Sequence, residues 1–152
     1  VQRLGLGILL GLTDPEEDLA ALARHAEYLA ERFPDRPLAF SLPRIHEAPP
    51  GFESPHPVDD EMLVRMYCAL RIAFPRAELV LSTRETAPLR HRLARICITQ
   101  MSAGSSTEPG GYDHDHASSG QQFPVQDGRS PGEVVAGLQR QGLKPVWEPA
   151  GR

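Results

Sequence analysis

The strongest constraint on this chain is an alternation. Apolar runs of strand length are followed, one after another, by capped segments with helical spacing. Leu4 to Leu12 (LGLGILLGL) reads as a buried strand with glycines set into it. Thr13-Asp14-Pro15-Glu16-Glu17 then starts a helix: Thr13 or Asp14 can cap, Pro15 suits the first turn, and the two glutamates suit the positive end of the helix dipole. Leu19, Leu22, Ala26 and Leu29 share its inner face, and Pro34 stops it. Leu38 to Leu42 is the second strand. After a proline-rich connection from His46 to Pro57, Asp59 or Asp60 caps a second helix carrying Met62, Leu63, Met66, Ala69, Leu70 and Ala73. Glu78 to Ser82, Ala87 to Arg95 and Ile96 to Met101 predict strand, helix and strand again. A last helix starts at Ser130-Pro131 and stops at Gly142.

Strand–helix alternation implies an α/β fold, a parallel sheet with right-handed crossovers. An eightfold barrel of such units needs about 250 residues. This chain has 152 residues and four units, which is half a barrel. A half-barrel has two open edges, and open edges invite pairing. Val1 enters the first strand almost at once, without an initiator Met or signal peptide, so the expectation is a piece of a longer protein. Two regions are expected: residues 1–112 form the half-barrel, and 113–152 a polar loop and the C-terminal helix.

Composition narrows the function classes. At 40% hydrophobic residues the chain can build a core. A net charge of −4 and a pI near 5.9 argue against nucleic acid as a partner, which asks for a basic face. No apolar run approaches the roughly 20 residues of a membrane span. Two cysteines, Cys68 and Cys97, belong to no CxxC pair and read as small hydrophobes in a reducing compartment, the cytoplasm. Fifteen prolines, about twice the average share, fall largely in the connections.

In parallel α/β folds chemistry sits at the carboxyl ends of the strands. Those ends carry Gly11-Leu12-Thr13, Ser41-Leu42-Pro43-Arg44, Ser82-Thr83-Arg84-Glu85 and Ser102-Ala103-Gly104-Ser105. Two arginines and several serines thus converge on one rim. A guanidinium offers forked donors to a carboxylate, and hydroxyls add short hydrogen bonds, so the rim suits an anionic small molecule. The alternative is that Arg44 and Arg84 pair with Glu47 and Glu85 and close the rim. The Ser102–Gly111 loop could let backbone N–H groups approach an anion such as phosphate. Asp113-His114-Asp115-His116 lies in a polar stretch without further ligands, and solvation is the better reading than metal. His25 and His91 read as surface helix positions. No Ser/His/Asp motif, GxGxxG or P-loop is present.

Three longer strings carry a resemblance: SLPRI (Ser41–Ile45), CALRIAFPRAELVLSTRE (Cys68–Glu85) and TQMSAGSSTEPGGY (Thr99–Tyr112). Followed by QQF, DGRSPGEV and GLKPVW, they make this chain similar to the C-terminal half of the aromatic amino acid lyases of the radical S-adenosylmethionine superfamily. That region is described as the biotin and thiamine synthesis associated domain. The resemblance runs from the first strand to Trp147, and the ordered combination of motifs is specific. It implies the C-terminal half of a TIM-like barrel whose partner is the N-terminal half of the same barrel. It also implies S-adenosyl-L-methionine, a [4Fe-4S] cluster, and cleavage of the Cα–Cβ bond of L-tyrosine to 2-iminoacetate and p-cresol for thiamine thiazole synthesis. Thiazole synthase is then a possible partner.

Carried over residue by residue, the resemblance implies that Arg84 holds the substrate carboxylate and Ser102 stands beside the substrate backbone. Arg44, Ser105 and Ser41 are expected on the same cavity. Gly7 and Gly11, on the first strand, are expected with Ser41 to let S-adenosylmethionine approach. Two departures matter. The CxxxCxxC cluster motif is absent, so the fragment alone is expected to be inactive. No cysteine follows Trp147, which favours the thiamine branch over the hydrogenase-maturation lyase. Asp14-Pro15 stands where the family often has Trp-Arg. The alternative is a non-catalytic half-barrel binding or assembly module, or a related aromatic amino acid lyase, the hydrogenase-maturation tyrosine lyase or a tryptophan lyase.

Overall fold

A computed structural model describes residues 2–46, 50–105 and 125–147. The elements run in the order β1 (Leu4–Gly7), α1 (Pro15–Arg32), β2 (Leu38–Ser41), α2 (Asp60–Ala73), β3 (Glu78–Leu81), α3 (Ala87–Ile96), β4 (Gln100–Met101) and α4 (Pro131–Arg140). The four strands form one sheet in the order β1-β2-β3-β4, every neighbouring pair parallel. The expected α/β class with parallel strand–helix units is therefore what the chain adopts. The boundary expected between residues 112 and 113 lies outside the described residues, as do Glu47, the Asp113–His116 stretch and most of the Ser102–Gly111 loop.

The helix starts follow their caps. The Asp14 carboxylate accepts from the N–H groups of Glu16 and Glu17, and that of Asp59 accepts from Met62. Ser130 and Glu133 close a reciprocal capping box on α4. Two expected strands are shorter than the apolar runs suggest. Only Leu4–Gly7 of the first run pairs continuously, and Leu10 joins the sheet again as a single bridge to Arg44. The fourth strand does not begin at Ile96. The Cys97 N–H bonds the Leu93 carbonyl, so α3 runs through Ile96 and the strand is left with Gln100 and Met101.

Register gives the sheet two unlike faces. Leu4 pairs with Leu38, Leu6 with Phe40, Phe40 with Leu79 and Leu81 with Met101. Because side chains alternate along a strand, these point one way, toward the helices. There they join Leu22, Ala26, Leu63, Met66, Tyr67, Leu70, Leu89 and Leu93 in one core. Phe40 and Phe74 meet there with ring centroids 5.1 Å apart. The intervening positions, Gly5, Gly7, Ala39, Ser41, Glu78, Val80 and Gln100, point the other way; all but Ala39 are half-buried or exposed.

Side chains reach in from the helices to pin the strands. The Tyr67 hydroxyl of α2 donates to the Val80 carbonyl at 2.8 Å and accepts from the Leu42 N–H at 3.1 Å, tying β3 to the end of β2. Burial pushes that phenol's pKa upward, so it stays a donor. Arg71, also on α2, donates to the carbonyls of Pro75, Ala77 and Cys97 and gathers the turns leading into β3 and β4.

Candidate functional site

The carboxyl ends of the four strands form one rim, built on two buried arginines that reach it from different elements. Arg44 follows β2 and is 5% exposed. Its Nε lies 3.1 and 3.2 Å from the two Glu85 oxygens, its Nη2 lies 2.6 Å from Glu85 Oε2, and its Nη1 donates to the Val58 carbonyl at 2.8 Å. Nη2 also meets Asp60 at the start of α2. Burial disfavours the charged guanidinium, yet the bonds to Glu85 and Asp60 prevail and raise its pKa. Glu85 is 2% exposed and takes a further bond from the His46 ring, 3.1 Å away. The geometry at Arg44 is that of the ion-pair alternative, with Glu85 and Asp60 as the acids. Its donors are spent inside the protein.

Arg84 stands one residue away in the turn after β3 and is half-buried. Its backbone N–H bonds the Ser82 hydroxyl at 3.3 Å. Ser102 continues β4 by one ladder bond, its N–H donating to Leu81 O at 3.1 Å, so Ser82 and Ser102 extend the uncovered side of the sheet. Ser105 follows, half-buried, after Gly104. Gly104 has φ +61°, and a Cβ there would lie 3.1 Å from Pro131 at the start of α4. The structure thus gathers Arg84, Ser102, Ser105 and Ser41 at the carboxyl ends of neighbouring strands.

The glycines expected to admit a cofactor have reasons inside the chain. A Cβ on Gly7 would sit 2.8 Å from the Ser41 carbonyl oxygen, so the close approach of β1 to β2 already excludes a side chain. Gly11 has φ +115°, and its carbonyl accepts from the Ser54 hydroxyl at 2.6 Å and the His56 N–H at 3.3 Å. That turn folds the proline-rich connection back over the end of β1.

The second buried arginine, Arg90 on α3, was not a sequence candidate. It is wholly buried. It donates to the Asp127 carboxylate and to the Ser102 carbonyl. Asp127, the first residue of the DGR string, is 2% exposed and also receives Arg129 Nε at 2.7 Å and Nη2 at 2.6 Å. The Arg129 bonds hold the Asp127 carboxyl down to about 2. On the other partner, burial lowers the Arg90 pKa and Asp127 offsets it. Arg129 Nη1 donates to His91 Nε2 at 2.8 Å. His91 is therefore not a surface position as expected: it is half-buried against Gly137, and burial with the neighbouring Arg129 keeps its pKa low. The signal that could have found this network is DGR itself, an acid and a base two apart beside a helix start. What hid it is a sequence gap of 37 residues between Arg90 and Asp127.

The chain does not fit a [4Fe-4S] cluster. Such a cluster takes more thiolates than the two cysteines present. Cys97 is buried with its pKa pushed up to about 11 by burial, the reverse of a ligating thiolate.

The chain is 38% identical over 149 residues to the 2-iminoacetate synthase of Escherichia coli and 36% identical to that of Salmonella typhimurium. Each match covers 97% of this chain and 39% of the relative, so the chain spans well under half the length of these relatives and corresponds to their C-terminal part. A crystal structure of HydG, a maturase of the [FeFe]-hydrogenase, superposes with a TM-score of 0.83 at 36% identity, covering 93% of this chain and 31% of that one. HydG from Carboxydothermus hydrogenoformans gives 0.80 at 34% identity, with 93% and 32% covered. Residues 41–144, from the end of β2 through α4, match the Biotin and Thiamin Synthesis associated domain, and the chain belongs to that family.

Proposed function

We propose that this chain is the C-terminal, substrate-holding part of a radical S-adenosylmethionine lyase that cleaves the Cα–Cβ bond of L-tyrosine. The products would be 2-iminoacetate and p-cresol, the former passing to thiazole synthase. The observation that carries this reading is the identity to two 2-iminoacetate synthases along 97% of the chain. The rim supports it. Arg84 is the forked donor for the tyrosine carboxylate, and Ser102 and Ser105 offer hydroxyls beside the amino group. Arg44 acts behind them: by holding Glu85 it fixes the turn that carries Arg84. Gly7, Gly11 and Ser41 form the edge against which S-adenosylmethionine would lie. The radical chemistry belongs to that cofactor and to a [4Fe-4S] cluster, whose ligands belong to the N-terminal half of the same barrel. The residues of this chain bind and orient the amino acid and exclude water. The protein would work in the cytoplasm. No helix among the described residues is long and apolar enough to cross a membrane.

A graft tests the reading. Residues 1–147 replace the matching C-terminal segment of the Escherichia coli 2-iminoacetate synthase, and p-cresol is measured from L-tyrosine. The graft is expected to release p-cresol, and the isolated chain none. A graft that holds its cluster and cleaves S-adenosylmethionine but yields no p-cresol overturns the assignment. Release of indole-derived products from tryptophan in place of p-cresol would move it to the tryptophan lyases.

A further inference from the structure

The geometry points to Asp127 as the positioning residue of the substrate rim, a single residue whose backbone N–H and carboxylate together set where the Arg84 turn and Ser102 stand. The inference rests on the function proposed above and adds a residue to that site. Two separate links leave Asp127. Its backbone N–H donates to the Thr83 carbonyl at 3.1 Å, next to the Gln126 N–H on the same oxygen at 3.0 Å, and Thr83 is 3% exposed. Its side chain binds Arg90, whose other terminal nitrogen donates to the Ser102 carbonyl. One segment therefore grips the residue before Arg84 through the backbone and Ser102 through a buried guanidinium. Arg129, 24% exposed in its side chain, closes the carboxylate from outside and is held in turn by His91.

The two linked points lie on different strands, and among the described residues the β3–β4 ladder between them is only two residue pairs long. With the Ser102 N–H on the Leu81 carbonyl as its last bond, that ladder stops short of Thr83, whose height relative to Ser102 is set by what lies beyond it. A carboxylate of tyrosine held by Arg84 and an amino group beside Ser102 must both be met at once. A displacement of the two partners of even 1 Å costs on the order of 100-fold in rate for a reaction that depends on orientation. Asp127 touches neither substrate nor cofactor in this scheme; it acts through Arg90 and through the Thr83 carbonyl.

The test compares wild type with Asp127→Asn and Arg90→Lys. Asparagine keeps the volume and the backbone bond but removes the charge; lysine keeps the charge but removes the fork. Amide hydrogen exchange in the isolated chain is the first readout. Both variants are expected to raise exchange at Ser102–Gly104 and Arg84–Glu85 at least tenfold more than at Phe40 and Leu79, which report the stability of the sheet as a whole. Unchanged exchange at both rim segments overturns the inference. A uniform rise across the sheet overturns it too, because Asp127 would then hold the fold and not the rim. The second readout is the graft: Asp127→Asn is expected to raise the KM for tyrosine about tenfold, with substrate-free cleavage of S-adenosylmethionine unchanged, while Asp127→Glu recovers part of the loss. An unchanged KM in a wild-type-active graft overturns the inference. A wild-type graft without p-cresol overturns the proposed function and leaves the exchange experiment to decide whether Asp127 sets the rim.

Discussion

The two faces of this four-stranded sheet were built to different rules. The helix side is leucine and phenylalanine, with Phe40 and Leu79 fully buried. The other side is glycine, alanine, serine, valine, glutamate and glutamine at the paired positions. A face meant for a packed protein core takes large branched side chains. One lined by Gly5, Gly7, Ser41, Ser82 and Ser102 leaves volume for something else and supplies hydroxyls to meet it. Stability therefore resides on the helix side of the sheet, and the other side is the one the proposed function assigns to binding, with buried ion pairs at the strand ends between them.

That division can be broken by mutation. Phe40→Ala on the helix side should cost about 3–5 kcal/mol of unfolding free energy, measured by urea denaturation, and Val80→Ala on the other side less than about 1 kcal/mol. Equal losses would dissolve the distinction. At the boundary, Glu85→Ala leaves Arg44 buried without its main partner and should also cost about 3–5 kcal/mol; Glu85→Gln should recover part, since it still accepts. Arg84→Ala should do the opposite of Phe40→Ala. In the graft it should weaken tyrosine binding by about 2–5 kcal/mol, the loss expected when a charged hydrogen bond to a carboxylate is removed. The isolated chain should lose less stability than with Phe40→Ala. Ser102→Ala should weaken tyrosine binding less.

Smaller effects sharpen the picture. Gly7→Ala forces a methyl against the Ser41 carbonyl and should cost about 1–3 kcal/mol, whereas Gly5→Ala meets nothing within 4 Å and should be near neutral. Finally, the Asp127 carboxyl is held down to about 2 in the folded chain, against roughly 3.9 when unfolded. Its stabilisation is complete above the unfolded value and fades as pH falls from about 4 toward 2. Asp127→Asn should flatten that part of the urea midpoint profile. An unchanged slope would remove the charge from the account.

Much of this was legible from the chain alone, for local reasons. Caps such as Asp14, Asp59 and Ser130 act within three residues, so their helices begin where the sequence puts them. Strand ends carry Arg84 and Ser102 to one rim because parallel crossovers always return to the same side. The illegible part depends on distant partners. Arg44 looked like a substrate ligand because Asp60 and Glu85 lie 16 and 41 residues away. Arg90 shares its helix with Arg92 and Arg95, and its partner Asp127 lies 37 residues on. The start of β4 is not legible because an apolar Ile96 suits a helix end as well as a strand start.

Tyr67, Arg71, Arg44 and Arg90 share a consequence for how such a chain can change over time. Each fixes the spacing of strand ends by side chains that reach across, and the connections between elements are not what sets that spacing. A loop freed from that duty can lengthen, shorten or turn over its sequence without moving the strands it joins. Such drift is cheapest in connections whose residues make none of these bonds, and the four-strand frame is inherited intact.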